Sequence, residues 1–206
     1  MNSATLTITR DEGYFAKRTR FDWLFASIVA AGGTNALLRY GSGLDSVALK
    51  TDARGFIPGD LASFRTAVAG IYAIGDLIEG AMLAHKASEE GIALIEMLAG
   101  QKPRVNYNTI PSVIDTALEV ASSGQTEEAL KSVSVPYKAG RFPFAASARA
   151  KAKAHTSGLV KVLAHATTDE ILGVHIIGPE AGSQIHEAVV AMDFRASAEV
   201  LMPTEN

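Results

Sequence analysis

With 206 residues, 48% of them hydrophobic and 20% charged, the chain can close a core of its own and has room for one or two domains. A formal net charge of −3 offers no broad basic surface for nucleic acid, and no apolar run reaches the roughly 18 residues that a membrane-spanning helix needs. The absence of cysteine excludes disulfide scaffolds, zinc–thiolate sites and any thiol redox pair drawn from these residues.

Met1 to Arg10 lacks the basic-then-apolar pattern of a secretory signal, which sets the expectation of a cytoplasmic protein. Thr5 to Ile8 alternates polar and apolar residues as a short strand does, and a charged stretch follows from Arg10 to Arg20. The apolar run Phe25 to Ala31 stops at Gly32-Gly33 and is short enough for a buried strand. Gly41 to Ser46 reads as a loop, and Asp52-Ala53-Arg54-Gly55 as a turn between two short extended pieces. GIYAIGD, from Gly70 to Asp76, reads as the clearest strand of the first half. Ala81 to Leu98 then keeps helical spacing, with Ala84, Ala87, Gly91, Leu94 and Leu98 recurring every three or four residues and Gly100 at the C-cap position. Gly91 inside a helix costs about 1 kcal/mol relative to alanine. That cost implies a close approach, so the small face is expected to pack tightly on a sheet. Gln101 to Arg104 breaks the pattern and marks a candidate boundary.

Ile110 to Ile114 reads as a short strand at an edge, because Pro111 cannot donate to a ladder. Thr126 is placed to cap a helix running to Leu130, with Glu127 and Glu128 in its first turn. Val133 to Phe144 reads as extended, and Pro136 and Pro143 confine it to an edge. Gly158 to Ala164 and Ile171 to Ile177 form a hairpin around a polar turn. From Ala181 to Phe194 the helical period returns, with Ile185, Ala188, Val189 and Met192 on one stripe. The order strand, helix, three strands, helix predicts an α+β domain on an antiparallel sheet.

The chemical signal lies where GIYAIGD runs into the following helix. Gly75 lets the backbone approach a ligand, and Asp76 presents a carboxylate at the carboxyl end of the segment, where open α/β sheets place ligands. An ionised carboxylate only accepts hydrogen bonds, so its natural partner is a sugar-like hydroxyl. Amides around Met82 to Ala84, at the helix start, favour electron-rich groups. Together these suit a nucleotide-like cofactor. The alternative is an ordinary turn with Asp76 as a solvated cap. His155, His165, His175 and His186 do not share a helical face, and no metal site is expected.

GIYAIGD followed by AMLAHKASEEG resembles the second FAD-binding motif of the pyridine nucleotide-disulfide oxidoreductases, nearest to the dihydrolipoamide-oxidising flavoproteins of 2-oxoacid dehydrogenase complexes. The likeness continues in order through KTDARGFIP, VNYNTIPSVI, GRFPFAASARAKA, GLVKVLAHATTDEILGVHIIGPEAG and EAVVAMDF, over residues 21–199. It implies that Asp76 holds a ribitol hydroxyl of FAD and that Met82, Leu83, Ala84 and His85 line its pyrimidine side, largely through backbone amides. A turn-capping role for His85 stands beside that reading. Residues 1–104 would then be a partial nicotinamide- and FAD-binding segment and 105–206 the dimerisation domain, short at its carboxyl end.

Departures from the family pattern matter as much. No G-x-G-x-x-G occurs in the 206 residues, so FAD would find a weak or partial site; NAD is the family's second cofactor. The family's redox cysteines have no counterpart, and no catalytic residue is assigned. Met202, before Pro203-Thr204, stands at the position of the family's acid–base histidine, and a thioether has no titratable proton. Thr116-Ala117-Leu118-Glu119 replaces the usual Thr-x-Pro-Glu string, and Gly32-Gly33-Thr34 replaces Gly-Arg-x-Pro. The expectation is an oxidoreductase by resemblance that is inactive alone, working as a homodimer or with a polypeptide supplying the upstream half. A non-catalytic interaction module and a decayed gene product are the alternatives.

Overall fold

The computed structural model describes residues 44–201. The strands expected between Thr5 and Ala31, the Gly32-Gly33 stop and Met202 lie outside them. The chain divides into two compact units between Val105 and Asn106.

In the first unit the backbone is mostly irregular. Leu44–Val47, which overlaps the end of the stretch read as a loop, forms a short 3-10 turn. The turn expected at Asp52 to Gly55 is present: Asp52 Oδ1 accepts from the N–H groups of Arg54 and Phe56, and the Gly55 N–H donates to the Asp52 carbonyl. GIYAIGD is not a strand. Ala73 N–H donates to Phe64 O, Thr66 N–H to Ile71 O and Ile57 N–H to Leu77 O, so its bonds go singly to neighbouring loops rather than along a ladder. Among the described residues of this unit, pairing is limited to the isolated bridges Gly59–Thr66 and Arg65–Tyr72. The apolar run is explained by burial alone: Tyr72, Ala73, Ile74, Leu77 and Ile78 belong to a core that also takes in Leu94. Gly75–Leu77 closes the segment as a second 3-10 turn.

Helix α1 spans Ala84–Leu98, three residues shorter at its start than the spacing suggests. Its end follows the expected glycine stop. Gly100 has φ +84° and donates to Met97 O, while Gln101 N–H reaches back to Glu96 O, the paired bonds of a Schellman cap. The buried face carries Lys86, Ala87, Glu90, Ala93 and Leu94, so it is rotated from the stripe of small residues toward two charged ones. Gly91 is not a point of close approach. A Cβ there would meet only the Ile74 Cδ1 at 3.6 Å, an ordinary contact.

The second unit is an α+β domain built on one antiparallel sheet. Its strands are β1 Ser112–Ile114, β2 Glu119–Gly124, β3 Tyr137–Pro143, β4 Leu159–His165 and β5 Ile171–Gly178. They lie in the order β1-β2-β5-β4-β3, which puts both proline-flanked strands at the edges, as the missing donors require. Strand β2 was not legible in advance. Its Ser122-Ser123-Gly124 end lacks β-branched residues, yet it pairs residue by residue with β5 from Glu119↔Gly178 to Gly124↔Gly173. Helix α2, Glu127–Ser132, is capped by Thr126, whose hydroxyl accepts from Ala129 N–H at 3.2 Å. A short α3, Ala148–Ala152, precedes β4. Helix α4, Ala181–Asp193, lays Ile185, Ala188 and Met192 against Ala121, Val162 and Ile176 of the sheet, with Val189 only half-buried. α5, Ala198–Leu201, follows. On the opposite face, Glu127 at the start of α2 receives Tyr137, Arg141 and Lys161 from β3 and β4.

Candidate functional site

The turn at Gly75–Leu77 is fixed from two sides by α1. Gly75 sits at φ +69°, a conformation that disfavours side chains, and a Cβ added to it would lie 3.0 Å from the Cβ of Ala87. Its N–H donates to Glu90 Oε2 at 2.6 Å, and its carbonyl accepts from Lys86 Nζ at 3.2 Å. Lys86 Nζ also meets Glu90 Oε1 at 2.9 Å, one helical turn apart. The two side chains are 2% and 0% exposed. An ion pair so deeply removed from water is costly to assemble unless its remaining donors and acceptors are used. Here the two peptide groups flanking Gly75 each take one of them, the first donating its N–H to Glu90 and the second accepting at its carbonyl from Lys86.

Asp76 follows that peptide directly. It retains 9% exposure, and no hydrogen-bond donor among the described residues reaches its carboxylate. Its oxygens are not among the fully buried polar atoms left without a partner, so they keep contact with solvent, where an external hydroxyl or N–H donor can reach them. Leu83, the N-cap of α1, makes no side-chain capping bond, and the first turn carries no acidic residue. The amides that open the helix have no intrahelical partner. Met82, Ala84 and His85 are exposed and Leu83 half-buried, so the helix start is accessible. Gly75 and Asp76 thus stand beside the first two turns of α1; of the residues expected to line a cofactor there, Ala84 and His85 open the helix, Leu83 is its N-cap and Met82 precedes it.

The Lys86–Glu90 pair was missed in the sequence. The signal was present: lysine and glutamate four apart stand in phase with Ala93 and Leu94 of the buried face rather than with the exposed one. Charged residues are read as solvated by default, and that default hid them.

In the second unit the histidines are spread out. His155 and His186 are exposed; His165 accepts at Nδ1 from the N–H groups of Thr167 and Thr168 and so closes the β4–β5 turn. His175 is half-buried, with Nε2 3.1 Å from Gln125 O, and burial holds its pKa below the ordinary value of 6.5. Among the described residues no group of three histidines or carboxylates converges as a metal site. Also among them, no helix is long and apolar enough to cross a membrane.

Comparison with known proteins gives a consistent result. Residues 110–204 match the family described as pyridine nucleotide-disulphide oxidoreductase, dimerisation domain. The chain is 48% identical over 198 residues to the dihydrolipoyl dehydrogenase of Cupriavidus necator, a match covering 96% of this chain and 40% of that protein. With the mitochondrial dihydrolipoyl dehydrogenase of Pisum sativum the identity is 49% over 172 residues, 84% of this chain and 34% of the relative. Among solved structures, LpdA of Mycobacterium tuberculosis superposes with a TM-score of 0.71 at 26% identity, covering 81% of this chain and 36% of that one. The chain therefore spans well under half the length of the relatives it matches.

Proposed function

Because the chain belongs to the pyridine nucleotide-disulphide oxidoreductase family, we propose that it supplies the ribitol end of a flavin site and a dimerisation domain to a flavoprotein of the dihydrolipoyl dehydrogenase type. The observation that carries this reading is Asp76, a largely buried residue at 9% exposure whose carboxylate takes no hydrogen bond from the described residues and stays open to solvent beside the start of α1. Asp76 would accept a hydrogen bond from a ribitol hydroxyl of FAD, and the absence of a side chain at Gly75 would let the backbone approach it. Met82, Leu83, Ala84 and His85 flank the pyrimidine side, where the positive end of the α1 dipole favours electron-rich atoms. When bound, the flavin supplies the relay of electrons between a dithiol and a nicotinamide. The residues described here hold and orient; none of them moves a proton at a substrate.

The 206 residues contain no cysteine and no G-x-G-x-x-G, so dithiol exchange and pyrophosphate binding need groups from outside them. Flavin binding by these residues alone is accordingly weak, and the chain alone does not turn over dihydrolipoamide. Val190 and Phe194, four residues apart at the end of α4, are 58% and 82% exposed, which supports pairing of the second unit with a second copy of itself.

Riboflavin tests the site without involving phosphates. Fluorescence quenching should saturate with the full chain and weaken at least about tenfold in Asp76→Ala, as loss of a hydrogen bond to a charged group implies. Equal binding by the two proteins, or none by the unaltered chain, contradicts the assignment. Light scattering on the eluting protein checks the second part; a monomer at micromolar concentration refutes the pairing.

A further inference from the structure

We propose that Lys86 and Glu90 are positioning residues that fix the two peptide groups flanking Gly75, and through them the presentation of Asp76 to a hydroxyl-bearing ligand. Where a flavin is that ligand, the inference rests on the function proposed above.

The pair is not what a helix needs for its own sake. Surface lysine–glutamate pairs one turn apart add little to a helix, and a buried pair is often replaced by apolar side chains without loss of stability. What apolar side chains cannot do is bond a peptide group. Glu90 divides its carboxylate, Oε1 to Lys86 Nζ at 2.9 Å and Oε2 to Gly75 N–H at 2.6 Å. Lys86 spans the other gap, from Glu90 to the Gly75 carbonyl at 3.2 Å. The polarity is matched twice, carboxylate to N–H and ammonium to C=O. Neither of the two peptide planes that meet at Gly75 can rotate without breaking a charge-assisted bond. Gly75 is also the residue whose positive φ turns the chain from extended Ile74 into the 3-10 turn that carries Asp76. Gly80 adds to the enclosure, since a Cβ there would come within 3.2 Å of Lys86 Cε. Fixing Asp76 before a ligand arrives lowers the ordering cost of binding.

The full chain is the material for the test. In the unaltered protein the Gly75 amide proton should resonate downfield and exchange at least about tenfold more slowly than the amide of exposed Gly80, as a buried charge-assisted bond demands. An ordinary shift with fast exchange overturns the proposal whatever any variant does. The double substitution Lys86→Met with Glu90→Leu should retain a cooperative thermal transition, release Gly75 exchange, and weaken riboflavin binding by about tenfold or more. Exchanging the charges, Lys86→Glu with Glu90→Lys, keeps an ion pair but mismatches both peptide ends, and should weaken riboflavin equally. Retained affinity and slow Gly75 exchange in a folded double variant overturn the positioning role, as does failure of both variants to fold. If riboflavin does not bind the unaltered chain while the Gly75 readouts respond as stated, the flavin reading falls and the clamp stands.

Discussion

Each of the two units is stabilised internally by different means. Residues 106–201 close through a continuous five-stranded ladder with one helix against a face of it, so their polar backbone is satisfied by pattern. In residues 44–105 helix α1 is the one regular element described; the rest of the backbone is satisfied singly, through isolated bridges, short 3-10 turns and a buried ion pair on the peptide groups either side of Gly75. A ladder distributes its stability over many equivalent bonds, whereas the first unit concentrates it on a few. The candidate site sits in the unit of the second kind, where one substitution changes local geometry most.

That contrast can be broken at Lys86 first. Lys86→Met leaves the Glu90 charge buried without its counter-ion, and denaturant unfolding should report a loss of about 3–5 kcal/mol. The same measurement on Ile185→Ala, a fully buried α4 residue in the second unit, should give about 2–5 kcal/mol through the cavity it leaves. If Lys86→Met costs less than about 1 kcal/mol, the first unit does not depend on its ion pair. Gly75→Ala is next. Forcing a side chain to φ +69° and to 3.0 Å from Ala87 should cost more than about 1 kcal/mol, while Gly91→Ala, with only a 3.6 Å contact, should gain up to about 1 kcal/mol.

The smallest effect sharpens the comparison from the other side. Glu127 is held below its ordinary value of 4.5 chiefly by the hydrogen bond from Lys161, then by Tyr137. A carboxylate with a depressed folded pKa stabilises above its unfolded value and loses that contribution as pH falls through the folded one. Burial likewise depresses His175 below 6.5, so its contribution is present above that pH and fades below it. Melting followed by circular dichroism should therefore show the second unit weakening in two stages on acidification. Glu127→Gln should flatten the stage below pH 4.5; an unchanged slope there contradicts the role given to Glu127.

The legibility of the sequence follows the same division. Pro111, Pro136 and Pro143 announced edge strands, Thr126 announced its helix, and the spacing of Ile185, Ala188 and Met192 announced the buried face of α4, because each expresses a local rule. Strand β2 escaped since its identity as a strand comes from β5 and β1 on its flanks, not from Ser122 to Gly124 themselves. GIYAIGD misled for a related reason. Its hydrophobicity reports burial, and burial does not reveal whether a neighbour supplies a ladder. At the site, Gly75 and Asp76 were visible as a motif, but the Lys86–Glu90 support was not, because a contact across 11 residues between a helix side chain and a turn carbonyl has no sequence period.

Carbon-13 observation of the Asp76 side-chain carboxylate during a riboflavin titration bears most directly on the site. The carboxyl resonance should move and saturate together with the flavin fluorescence, and should stay put in the Lys86→Met, Glu90→Leu protein. Saturating flavin fluorescence with an unmoved Asp76 signal would contradict the account.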